Sequence, residues 1–190
     1  MNGNTKKNLL LKVLDIFDNI LSKFEGVMLA LGVIAMAITT IASVITRSIF
    51  NNALTVTDEL NMIFIVIVTF AGLSYAARNG RHIRMSAIYD AMPTKARKIA
   101  IICISFITSI FMFVLAKYSY GYIIEVYQSG RILPALGIPV FYVYLWVPIG
   151  FTVTGLQYIF TVIKNISEED VYLSTITKDG YSDAKNDIEI

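Results

Sequence analysis

The chain has 190 residues, 56% of them hydrophobic and only 16% charged, with a mean hydropathy of +0.64. A water-soluble domain is about a quarter charged, so this balance excludes an ordinary soluble globule. The formal net charge of +2 carries little information by itself; where the charges fall carries more.

The stretch 8–24, "NLLLKVLDIFDNILSKF", places Leu10, Val13, Leu14, Phe17, Ile20, Leu21 and Phe24 at helical spacing on one face. Lys12, Asp15, Asn19, Ser22 and Lys23 take the other face. This segment is too interrupted to span a bilayer, and it predicts an N-terminal amphipathic helix lying in the membrane interface. Its apolar face could equally pack on a helix of another protein. Residues 26–46 follow without a single charge. A bilayer core of about 30 Å takes about 20 helical residues, so this run is the first span. "AMA" at 35–37 imitates a signal-peptidase site. Cleavage there would leave too few apolar residues to span, so the segment is expected to be a retained anchor.

"TVTDELNM" opens the second span, expected over 60–78. Thr55 or Thr57 suits the N-cap, and Asp58 and Glu59 suit the positive end of the helix dipole. Gly72 and Ala76 form a small-xxx-small pair that lets another helix approach. Gly80 is suited to the left-handed residue that ends the helix. "RNGRHIRMS" then gathers Arg78, Arg81, His82 and Arg84. That cluster suffices as a topology anchor, and it is also a candidate interface with a partner protein or lipid phosphates.

The third span is expected over 99–118, with Lys117 snorkelling to the far interface and the tyrosines of "YSYGYIIEVY" forming an aromatic belt. Cys103 has no second cysteine to pair with. A Pro- and Gly-containing lead-in, "LPALGIP", precedes the fourth span at 140–163. There Pro148 is expected to kink the helix, and Gly150 and Gly155 offer close contacts. From 165 to 190 the chain is acidic and reads as a solvated, disordered tail.

Lysines and arginines crowd the segments before the first span and between the second and third, whereas the other two connections carry few. By the positive-inside rule both termini are cytoplasmic. The expected fold is therefore all-α, an integral-membrane four-helix bundle. Its parts are 1–24 with the interfacial helix, 25–164 with the spans, and the tail at 165–190. Chemistry has little to work with here. One histidine cannot supply paired haem ligands, no phosphate loop or nucleophile–base pattern occurs, and no nucleic-acid motif occurs. No ionisable side chain falls mid-span, where ion-coupled transport normally needs one. The sequence predicts neither an enzyme nor a cofactor.

Two stretches carry a resemblance. "TDEL" entering the second span, with "GLSYAARNGRHIRMS" closing it, resembles the small membrane subunit of tripartite ATP-independent periplasmic (TRAP) transporters, the DctQ type. "GRILPALGIPVFYVYLWVPIGF" resembles the same family's proline-spaced approach to its last helix. The match runs over roughly residues 8–165; Ser86 stands where the family often has an acidic residue.

The resemblance implies a multi-pass inner-membrane protein that scaffolds a large, sodium-coupled, elevator-type membrane subunit. Sodium coupling would reside in that partner. A periplasmic binding protein would deliver an organic acid such as a C4-dicarboxylate or a sialic acid. Arg78, Arg81, His82, Arg84, Gly72, Ala76, Glu59, Pro148 and Gly150 are the candidate contacts with the large subunit or with lipid. The competing reading is an autonomous, homo-oligomeric transporter or channel, with Glu25 or Glu59 as the coupling carboxylate.

Overall fold

The computed structural model describes residues 2–50, 55–80, 93–168 and 170–177, with side chains from residue 20 onward in the first helix. The described chain is helical apart from its connections. It comprises α1 (Asn2–Phe50), α2 (Thr55–Arg78), α3 (Thr94–Gln128), α4 (Phe141–Tyr144) and α5 (Trp146–Ser167). Four stretches are long and apolar enough to cross a membrane: Ile20–Ile49, Thr55–Arg78, Thr94–Gln128 and Phe141–Ser167. All backbone polar groups within a helix are paired internally, which is the condition for crossing hydrocarbon.

α1 joins the stretch at 8–24 to the first span without a break. The sequence predicts two elements here, but no glycine or proline lies between Asn4 and Glu25 to separate them. The side chains that define the amphipathic face lie mostly outside the described residues.

Along the bundle α1 packs on α2, α2 on α5, and α5 on α3. Among the described residues the series is open, with no extensive packing between its two ends, α1 and α3. Each joint has small residues that let helices approach. A Cβ built on Gly32 of α1 would collide with Val68 of α2, and one on Gly72 would reach the Leu29 Cδ2 atom at 3.4 Å. At the α2–α5 joint, a Cβ on Gly150 would stand 2.6 Å from that of Phe70. At the α3–α5 joint, a Cβ on Gly155 would meet the Phe113 ring at 3.1 Å, and the Ser109 hydroxyl donates to the Gly155 carbonyl at 3.0 Å. The Phe70 and Phe151 rings pack edge to face, 5.0 Å apart.

The expected distortion at Pro148 takes the form of an interruption one turn earlier. Pro148 has no N–H to offer the Tyr144 carbonyl. α4 therefore ends at Tyr144, and α5 starts at Trp146. Leu145 between them keeps helical dihedrals, φ −57° and ψ −29°. Gly80 ends α2 in the left-handed region, φ +62°, as its sequence position suggested.

Candidate functional site

The polar chemistry of the described residues gathers at the two ends of the bundle. At one end stand Lys23, Arg78, Lys95, Arg97, Lys98 and Lys164; Arg47, Lys117 and Arg131 are the basic residues near the other.

At the basic end, Arg78 is completely buried, and Glu25 nearly so. Arg78 Nη2 lies 3.3 Å from Glu25 Oε2 and donates to Oε1 at 3.5 Å. The Ser74 hydroxyl donates to the same Oε1 at 2.6 Å. Ser74 and Arg78 are four residues apart on α2, so one helical face presents both to α1. Two buried charges are tolerated because each neutralises the other. The guanidinium of Arg78, a candidate for the partner interface, is turned into the chain. α1 continues on both sides of Glu25, which serves as the counter-ion between two helices.

The segment after α5 folds back against this end. Asn165, fully buried, donates to the Tyr172 carbonyl at 2.7 Å and accepts from the Tyr172 N–H at 2.9 Å. Lys164 Nζ donates to the Thr175 carbonyl at 2.5 Å and stands 4.6 Å from the centre of the Tyr172 ring. Lys98 Nζ donates to the Glu168 carbonyl at 2.6 Å. The Thr177 hydroxyl reaches the Asn79 carbonyl at 3.4 Å, and Leu173 lies against Gly80. Residues 170–177 thus form a strap over the last turn of α2, where the acidic composition suggested only solvated tail. Residues 178–190 lie outside the described residues, as do Arg81, His82 and Arg84.

At the opposite end, Glu59 does more than complement a helix dipole. Its Oε1 accepts from the Ala135 N–H at 2.8 Å, and its Oε2 accepts from the Leu136 N–H at 2.8 Å. Those amides belong to a compact loop. Its internal bonds run from the Leu133 N–H to the Ile138 carbonyl (2.8 Å), from Gly137 to Leu133 (2.8 Å) and from Val140 to Arg131 (3.0 Å). Gly137 takes φ +67°. Between the two ends, the Thr39 hydroxyl of α1 meets the Asn61 side-chain oxygen of α2, and Asn61 Nδ2 donates to Thr40 Oγ1 at 3.3 Å.

Of the other candidates, Gly72 and Gly150 are occupied by Leu29 and Phe70 of the same chain, and Ala76 and Pro148 are half-buried. The described residues hold no cluster of three metal-ligating side chains. The arrangement is built for helix packing and for fixing two chain ends.

The family description "Tripartite ATP-independent periplasmic transporters, DctQ component" matches residues 36–168. The chain belongs to this DctQ family. Among its relatives, the ectoine TRAP transporter small permease protein TeaB of Halomonas elongata is 52% identical over 176 residues, covering 93% of this chain and 91% of the relative. The DctQ chain described here is thus a small permease component of a TRAP transporter and a multi-pass inner-membrane protein. A transporter component is not an enzyme class. Glu59 shows what sequence reasoning missed. The two stretches that carried the family resemblance, "TDEL" and "LPALGIP", meet in space through this one carboxylate.

Proposed function

We propose that this chain is the non-transporting scaffold of its transporter. It would hold a large sodium-coupled membrane subunit in place and help a periplasmic binding protein to dock. The observation carrying this reading is the coverage of the first span. Only 6% of its apolar window is buried inside the chain, against 33% for the last span. A helix attached along one face leaves the rest of its surface for lipid or for the helices of a larger subunit.

Orientation follows from charge. The end bearing Lys23, Arg78, Lys98 and Lys164 faces the cytoplasm, so both termini are inside. The amphipathic stretch at 8–24 continues α1 without a break, so it rests in the cytoplasmic interface only where the helix bends as it leaves the membrane. The loop clamped by Glu59 then faces the periplasm.

The relative's name supports ectoine as the substrate, in place of the C4-dicarboxylate or sialic acid expected from sequence. Other chains make the substrate contacts, so identity in this subunit bears on the substrate through the transporter to which it belongs. The test is reconstitution into vesicles with a sodium gradient. This chain, the large subunit and the binding protein together are expected to accumulate labelled ectoine, with excess unlabelled ectoine competing better than sialic acid or a C4-dicarboxylate. Uptake by this chain alone would establish the autonomous transporter and end the scaffold reading.

A further inference from the structure

Glu59 ties the start of α2 to a loop some 76 residues later in the chain. Its geometry is specific. Two consecutive backbone N–H groups, of Ala135 and Leu136, converge on the two oxygens of one carboxylate at equal 2.8 Å distances. Consecutive amides pointing into one concavity form an anion nest, and an ionised acceptor roughly doubles the strength of each bond. Glu59 itself is half-buried.

The loop so held is short, internally bonded and closed by a bridge between Ile132 and Pro139. Its buried anchor is Leu133, whereas Ile132 and Ile138 are exposed. Arg131, Pro134 and Gly137 are exposed as well. The loop therefore offers a cation flanked by apolar side chains, on a backbone pinned from below. The tyrosine belt marks the interface beneath it: Tyr127 packs on Phe141 at 5.1 Å, and Tyr122 on Tyr144 at 5.5 Å.

We propose that Glu59 is a positioning residue that holds the 131–139 loop in shape for docking of the periplasmic binding protein. The inference rests on the scaffold reading given above and names one of its contact elements. The occupant is a soluble protein surface carrying a carboxylate opposite Arg131 and an apolar patch opposite Ile132 and Ile138. A pre-formed loop binds more tightly than a mobile one because its ordering cost is met before the partner arrives. The charged residue and the exposed apolar side chains supply the recognition.

Two substitutions test this in the complete two-subunit membrane complex held in lipid nanodiscs. Glu59→Gln is isosteric, but it turns a donor toward one of the two amides and breaks half of the clamp. Gly137→Ala places a side chain where φ is +67°; the added Cβ meets nothing within 4 Å, so it strains the loop without a clash. Hydrogen exchange at 135–137 reads the clamp, and titration with the binding protein reads docking. Both variants are expected to speed exchange there and to weaken docking by about three- to tenfold, the scale of one ordinary net hydrogen bond. The thermal midpoint of the complex should move little.

Unchanged exchange in Glu59→Gln overturns the clamp. Faster exchange with unchanged docking overturns the loop as the docking element and leaves the scaffold reading intact. A wild-type complex that binds no binding protein overturns both. If Glu59→Gln does not assemble, Gly137→Ala gives the same two readouts from outside the spans.

Discussion

Glu25 of α1 and Arg78 of α2 neutralise each other inside the chain, their charged atoms 3.3 Å apart and the guanidinium wholly out of contact with solvent. Removing one partner from such a pair leaves a buried charge uncompensated, at a cost of about 3–5 kcal/mol. Glu25→Gln and Arg78→Gln are each expected to reduce the yield of assembled transporter and lower its thermal midpoint. The double variant should recover much of the loss, because neither charge is then stranded. A double-mutant cycle on the melting of the purified complex measures the coupling. Additive losses would show that the two side chains act independently.

Gly150 and Gly121 make a contrasting pair. A Cβ on Gly150 would stand 2.6 Å from that of Phe70, whereas one on Gly121 meets nothing within 4 Å. Forcing α2 and α5 apart costs about 1–3 kcal/mol. Removing an unneeded glycine from a helix gains about 0.5–1 kcal/mol. Gly150→Ala should therefore lower the melting temperature in detergent, and Gly121→Ala should leave it unchanged or raise it slightly.

The link between Thr39, Thr40 and Asn61 is modest. Interhelical hydrogen bonds in membranes contribute about 0.6–2 kcal/mol, so Asn61→Leu should loosen α1 from α2 without preventing insertion. Crosslinking between cysteines placed at Gly32 and Val68, in a chain lacking Cys103, would report the loosening as a lower yield.

Asn165 holds the strap through both backbone groups of Tyr172. Asn165→Leu removes both of those hydrogen bonds, each contributing about 0.5–1.5 kcal/mol. Limited proteolysis should then cut within 168–177 at protease concentrations that spare the wild-type chain. Equal resistance would show that the strap is held without this amide.

The spans were legible in the sequence because their signal is local: long uncharged runs need no knowledge of the fold. Gly80 was legible for the same reason, since its conformation depends on its immediate neighbours. Pro148 announced a distortion, and the missing donor put the interruption at Leu145. The long-range contacts were not legible. Glu25 and Arg78 are 53 residues apart, and each alone resembles an ordinary charge near a span end. Glu59 looked like a helix-dipole residue because carboxylates favour that position in any helix; its actual partners are backbone amides, which leave no mark in the side-chain pattern. The strap was hidden by its acidic surroundings, where composition averages out the one buried asparagine that organises it.

In chain order the third crossing precedes the fourth, yet α5 lies between α2 and α3 in space. During synthesis α1, α2 and α3 are complete before the helix that packs on both α2 and α3 has been made. A nascent chain stalled before residue 141 lacks the helix that supplies the main packing contact of α3, so the last helix to be made is the one that ties α3 to the α1–α2 pair.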